Sequence, residues 1–134
     1  MPDPIVDLNE LLASLSVSRR EGFYCVATVP AGTSLEDGVE ALIVEDEGTT
    51  AIATLERAQK EGWDHEFESA WLPLDVLSAL EAVGLTAAVA AALTEAGIPC
   101  NVLAARRHDH ILVPVERVEE AISAIEALSC RDNR

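Results

Sequence analysis

An α+β fold built around a split β-α-β unit is what this sequence predicts, on three observations. The stretch from Val83 to Leu128 reads helix, strand, strand, helix. The residues before it, Glu68 to Leu77, supply a strand that completes a βαββα unit. The front half adds strand-like runs at 23–29, 41–44 and 50–55, and no long linker divides the halves. A split βαβ topology places its third strand between the first and second and normally has a fourth strand after the second helix. Only residues 129–134 follow that helix here, so the front half is expected to lend the missing edge.

The elements follow in order. Residues Ile5 to Leu15 carry apolar side chains at 5, 8, 11, 12 and 15, one face of a helix, with Asp7 placed to cap it. Ser16 to Glu21 reads as a polar connector. Phe23 to Val29 is rich in β-branched and aromatic residues and ends at Pro30, so it predicts a strand. Pro30 to Val39 holds two glycines and reads as a loop. Ala41–Val44 and Thr50–Leu55 flank an acidic turn and predict a hairpin. Glu56 to Glu61 is a short helix stopped by Gly62. Trp63 to Glu66 reads as irregular. The run from Phe67 to Leu77 is apolar enough for a buried strand, but Pro73 demands an edge or a bulge.

The next helix has Leu85, Val89 and Leu93 on one stripe, with Ala88, Ala92 and Ala96 as a small-residue ridge beside it. Gly97 and Pro99 end it. Cys100–Ala105 and Ile111–Val113 are strands joined by Arg106-Arg107-His108-Asp109-His110. Glu116 to Leu128 is a helix with Val118, Ala121, Ile122, Ile125 and Leu128 as its stripe. Acidic residues crowd its first turns, where the helix dipole favours them. Ser129 to Arg134 is expected to be a short frayed tail.

Composition narrows the functions. With 134 residues and 49% hydrophobic residues, a packed core is feasible. Aromatics are only 4%, so that core must be aliphatic. A net charge of −15 repels nucleic acid and anionic membranes. The few aromatics also exclude RNA stacking platforms. The three cysteines form no CxxC pair, which argues against a disulfide framework or a thiolate metal site and for thiols in a reducing cytosol. The first residues carry acid where a signal peptide needs positive charge, and no run is long enough to span a bilayer. A soluble, cytoplasmic protein is expected.

At Gly84 to Leu128 the sequence resembles an ACT domain, the small-molecule-sensing ferredoxin-like module of amino-acid metabolism. The residues that carry the likeness are Gly84–Leu85 at the helix start, EAGIPCNV at 95–102, HIL at 110–112 and ERVEEAISAIEAL at 116–128. The longer phrases LEAVGLTAAVAAALTEAGIPCNV and HDHILVPVERVEEA resemble small standalone bacterial ACT-like proteins with two repeats. Those are related to aspartate kinase regulatory domains and to the CASTOR arginine sensors. The resemblance implies a ferredoxin-like (βαββαβ) fold in two intertwined repeats, residues 1–64 and 65–134, the first degenerate. It implies antiparallel sheets with helices on one face, and a homodimer.

The resemblance also implies where a ligand would sit. A loop that opens onto a helix N-terminus offers free N–H groups to a carboxylate, and glycine lets a ligand approach the backbone. Ser78, Gly84, Leu85 and Thr86 would hold an amino acid's carboxylate, Asn101 would orient its amine or side chain, and Asp75 or Glu81 would meet its ammonium group. Read plainly, the same loop is a glycine turn with Thr86 as a helix cap.

His108 and His110 would share a face if both lay in a strand, yet a third metal ligand is missing nearby. Trp63 and Trp71 could line a pocket, although core packing explains them as well. No nucleophile motif, phosphate-binding loop, zincin motif or paired catalytic constellation is present, so no catalytic residue and no cofactor is expected. The function expected is a non-enzymatic sensor of an amino acid or similar small metabolite. The alternative is a structural or interaction module with no retained ligand site. The run Val76-Leu77-Ser78-Ala79, with its single hydroxyl, favours that alternative.

Overall fold

The computed structural model describes residues 3–131. In chain order its elements are α1 (Leu8–Ala13), β1 (Tyr24–Val29), β2 (Val39–Glu45), β3 (Gly48–Thr54), α2 (Leu55–Glu61), β4 (His65–Pro73), α3 (Leu85–Glu95), β5 (Asn101–Ala104), β6 (Asp109–Pro114) and α4 (Val118–Arg131). They fall into two compact units. One is Glu21–Ala70; the other joins the chain up to Arg20 with the chain from Trp71 onward. The strand β4 passes from the first unit into the second.

In the 21–70 unit the strand order is β2-β3-β1-β4, all antiparallel. Alternation along the strands sends Ala27, Val29, Val39 and Ala51 into one core cluster, against which Leu42 and Trp63 pack. Trp63 is therefore a packing residue. Buried Ala51, Ala53 and Ala58 have side chains small enough for a helix to lie close on the strands. Thr54 caps α2 by accepting the Arg57 N–H at 3.1 Å. Between β1 and β2, where a βαββαβ repeat has its first helix, the chain runs as a loop, as its glycines predict.

The run read as one strand departs from an unbroken strand in two places. Pro73 ends β4, four residues short of the predicted end at Leu77. A bulge also interrupts the β1–β4 register, with Tyr24 opposite Ser69 but Val26 opposite Glu66. Phe67 lies within the bulge at φ 62°. Ser69 is buried there and donates to the Tyr24 carbonyl at 3.1 Å.

In the other unit the order is β4-β6-β5, so the third strand of the split βαβ motif does lie in the middle. The strand on the far side of β4 was not legible in the sequence. Residues 17–20, read above as a connector, run antiparallel to 71–74: the N–H groups of Ser18 and Arg20 donate to the carbonyls of Pro73 and Trp71 at 3.2 and 2.9 Å, and Val17 bridges Leu74. Main-chain bonding to a neighbour needs no apolar side chain, so Ser-Val-Ser-Arg-Arg gave no strand pattern.

The helices of this unit bury the predicted stripes. On α3 these are Leu85, Val89, Ala92 and Leu93. Ala96 of the expected alanine ridge is exposed. On α4, Val118, Ala121, Ile125 and Leu128 are buried, while Ile122 is half-buried. The C-terminus of α3 closes with Ile98 N–H on the Leu93 carbonyl and Gly97 N–H on the Thr94 carbonyl, both 2.9 Å. The α4 helix continues to Arg131, past the predicted stop, and the rest of the expected tail lies outside the described residues. Among the described residues no helix is long and apolar enough to cross a membrane.

Candidate functional site

Three places in the molecule gather polar groups. The first is the loop from Leu74 to Gly84 and the start of α3. Gly84 is the N-cap residue at φ 108°, and no side chain caps this helix. Thr86 is exposed and does not cap it, contrary to the plain reading of the sequence. The first N–H groups of an α-helix have no intrahelical partner, so the start of α3 offers donors. Leu85, the first helical residue, turns its side chain into the core.

The rest of the loop is fastened by the N-terminal segment. Ile5 bridges Ser78 in parallel, its N–H on the Leu77 carbonyl at 2.7 Å and its carbonyl taking the Ala79 N–H at 2.9 Å. Asp75 gives its N–H to the Ser16 carbonyl at 2.8 Å and accepts the Ser18 hydroxyl at 3.1 Å. Ser78 is buried, and its hydroxyl helps to hold the Asp109 pKa down. A Cβ on Gly84 would come 2.9 Å from Leu8 Cδ2. Asn101 is exposed at the start of β5, opposite Leu112 of β6. Of the expected ligand residues, Gly84, Leu85 and Thr86 are thus consecutive at one helix start. Ser78 is buried, and Asp75 is tied to the 16–18 segment.

The second place surrounds His110. β6 begins at Asp109, so His108 lies in the turn, closed by the Ala105 N–H on the His108 carbonyl at 3.1 Å. The condition for two histidines on one strand face is not met. Among the described residues no group of three or more His, Cys, Asp or Glu could hold a metal ion. His110 instead meets Trp71. The indole Nε1–H donates to His110 Nδ1 at 3.0 Å, with the rings edge to face at 5.7 Å between centroids. The Arg20 guanidinium lies 4.2 Å from the Trp71 ring centroid. An indole nitrogen can only donate, so His110 Nδ1 must be unprotonated and the ring neutral.

Burial, the Arg20 charge and His108 all push the His110 pKa below the usual histidine value, against the pull of Asp109. Burial pushes the Asp109 carboxyl up, opposed by His110, His108 and the Ser78 hydrogen bond. A histidine held below its unfolded pKa binds fewer protons folded than unfolded, so stability is lost as pH falls below the unfolded value of about 6.5. Wild-type protein should therefore show a falling urea midpoint from about pH 7.5 to about pH 5.5. His110→Gln, which keeps an acceptor for Trp71, should flatten that fall. An equal fall in both proteins would show that His110 is not the group responsible. Sequence reading singled out His110 and Trp71 separately, but nothing in the spacing joined them to each other or to Arg20.

The third place lies wholly in the 21–70 unit. A hollow of about 640 Å³ is bounded by Gly22 and Phe23, by Asp37 and Gly38, and by Thr54 to Arg57 with Gln59 and Lys60. Arg57 braces its wall. Its guanidinium donates to the Asp37 carbonyl and pairs with Glu36 at 2.8 Å and Glu61 at 3.5 Å. The sequence reading missed this hollow because its walls come from three separate segments.

The two cysteines that can be described are free. Cys25 is buried and Cys100 half-buried, and burial raises the pKa of both thiols, as inert packing thiols require.

Comparison with known proteins gives consistent results. One ACT-domain family model matches residues 66–127 and another matches residues 3–70. The crystal structure of a protein of unknown function from Vibrio cholerae is 38% identical, with a TM-score of 0.81 over 91% of this chain and 95% of that one. A protein from Agrobacterium tumefaciens is 17% identical, with a TM-score of 0.65 over 86% of this chain and 89% of that one. The regulatory subunit of aspartate kinase from Thermus flavus is 12% identical, with a TM-score of 0.63 over 84% and 96% of the two chains. The likeness to the last two is one of fold. No curated protein gives a significant match. ACT domains are regulatory, ligand-binding modules rather than catalytic ones. On the family matches to its two halves and on the Vibrio cholerae relative, this chain belongs to the ACT-domain family.

Proposed function

We propose that the protein is a non-enzymatic cytoplasmic sensor that binds an amino acid or similar small metabolite and works as a homodimer. The observation that carries the reading is the ACT-family match over both halves, since ACT domains are regulatory, ligand-binding modules. The proposed contact residues are Gly84, Leu85 and Thr86 at the uncapped start of α3, and Asp75, Ser78 and Asn101 complete the proposed set. A carboxylate there would take N–H donors that no side chain uses and would gain from the helix dipole. A ligand that binds one arrangement of the repeats better than another shifts their equilibrium by its differential affinity, which is what regulation requires.

Titration calorimetry with the twenty L-amino acids tests the reading. Saturable heat is expected with at least one of them, and Gly84→Val should abolish or sharply weaken it. The absence of heat with all twenty would leave the second reading, a module with no retained ligand site. Two observations favour that second reading: Leu8 lies beside Gly84, and Ser78 is buried.

A further inference from the structure

We infer that Arg20, Trp71 and His110 form a pH-sensitive clasp, which opens when His110 takes a proton and then releases residues 17–20 from β4. The clasp stands where the chain leaves this unit, after Arg20, and where it returns, at Trp71. There the Arg20 N–H donates to the Trp71 carbonyl at 2.9 Å, and the Arg20 guanidinium lies 4.2 Å from the Trp71 ring centroid. The indole of the same residue donates to His110 Nδ1 at 3.0 Å. Trp71 is buried, so this one ring links the 17–20 segment to β6.

A neutral histidine that accepts at Nδ1 carries its proton on Nε2. A second proton goes to Nδ1 and turns the acceptor into a donor. Two N–H groups then face each other, and the Trp71–His110 hydrogen bond is lost. The new positive charge also stands against the Arg20 guanidinium on the same indole. The groups that act on His110 come from two places. Arg20, from the 17–20 segment, opposes the proton. From β6 and the turn before it, His108 opposes the proton and Asp109 favours it. β4 meets His110 through Trp71, β5 sets uncharged Leu103 opposite it, and Arg106 and Arg107 of the turn are exposed.

The part that yields is the 17–20 segment. Besides Arg20, it is held to β4 by the Ser18 N–H on the Pro73 carbonyl at 3.2 Å and by the Val17–Leu74 bridge. His110 and Trp71 lie within strands of the sheet, and just before the segment Leu11 and Leu15 are anchored in the core. Opening is therefore local, and it bares the carbonyls of Trp71 and Pro73 along β4. The clasp does not involve the start of α3, so it stands apart from the ligand contacts proposed there.

NMR of the ¹⁵N-labelled full chain, from about pH 7.5 to about pH 5, tests it. The chain has two tryptophans, and Trp63→Phe identifies the Trp71 indole cross-peak. That peak should shift with a midpoint below pH 6.5. Across the same range the Arg20 and Ser18 amides should lose at least about tenfold in hydrogen-exchange protection. The Ile98 amide, bonded to the Leu93 carbonyl, should change by less than about twofold. His110→Gln, which keeps an acceptor for Trp71, should abolish both the shift and the loss of protection. Arg20→Met tests the clasp without altering position 110, and it should move the indole midpoint to higher pH. A Trp71 peak that does not titrate, or one that titrates while Arg20 protection stays constant, would overturn the inference. So would an unmoved midpoint in Arg20→Met, an undiminished response in His110→Gln, or an equal loss of protection at Ile98, which would make the event global unfolding.

Discussion

Replacing Leu93 with alanine should remove about 3–4 kcal/mol of stability. Leu93 is fully buried, on the α3 face that also buries Leu85, Val89 and Ala92. Truncation removes three carbons from the core, worth roughly 2–2.5 kcal/mol of transfer free energy. The remainder is the cavity left behind. Its neighbours on the helix are already small or β-branched and cannot reach across to fill it. The main chain at 93 should stay in place, because its carbonyl is held by the Ile98 N–H at 2.9 Å. Urea unfolding should show a lower midpoint at an unchanged slope. Ala91→Ser, at an exposed position of the same helix, should change stability by less than about 0.5 kcal/mol. A Leu93→Ala loss below about 1.5 kcal/mol would mean that α3 is not seated as described.

Gly38→Ala should cost roughly 2–4 kcal/mol. Gly38 lies at φ 87°, where an L side chain is strained by about 1–2 kcal/mol. Its new Cβ would stand 2.7 Å from Arg57 Cβ and 3.0 Å from both Arg57 Cγ and Thr54 Oγ1. Neither Arg57 Cβ nor the capping Thr54 can swing away, since each sits next to the backbone of the first turn of α2. The Gly38 carbonyl also takes the Thr54 N–H at 2.8 Å, so a displaced loop would loosen the helix cap. Gly22→Ala separates the two causes. Gly22 has φ 95° but open space around its Cβ position, so it should show the backbone strain alone, about 1–2 kcal/mol. Equal losses at the two positions would remove the steric part of the account.

These two positions mark what was legible in the sequence and what was not. Leu93 could be found from periodicity, because a helix against a sheet must repeat its apolar residues every three or four positions. The same rule located α4, and Gly97 located the end of α3. Gly38 could be read only as a loop glycine. Its need for a bare Cα comes from Arg57, a contact that no local pattern encodes. Residues 17–20 escaped for a similar reason, since their pairing with 71–74 runs through the main chain. The early end of β4 was half legible: Pro73 signalled an irregularity, but the bulge at Phe67 was placed by Ser69 and Tyr24 together.

The candidate site divides in the same way. Gly84 and the helix that follows it were found from glycine and periodicity. The burial of Ser78, bridged by Ile5, and the covering of Gly84 by Leu8 depend on segments distant in the chain. Arg20 over Trp71, with Trp71 bonded to His110, is likewise a meeting of three segments. The hollow beside α2 is a fourth case, since its walls come from segments that are separate in the chain.

The melting temperature of the wild-type chain in the presence of each amino acid tests the sensor reading most directly. A ligand with a dissociation constant near about 100 µM, supplied at about 10 mM, stabilises the folded state by about 2.7 kcal/mol. For a chain of this size that is a rise of roughly 8–10 °C. The account predicts such a rise with at least one amino acid and none with its N-acetyl amide. Identical melting curves with all twenty amino acids would contradict it.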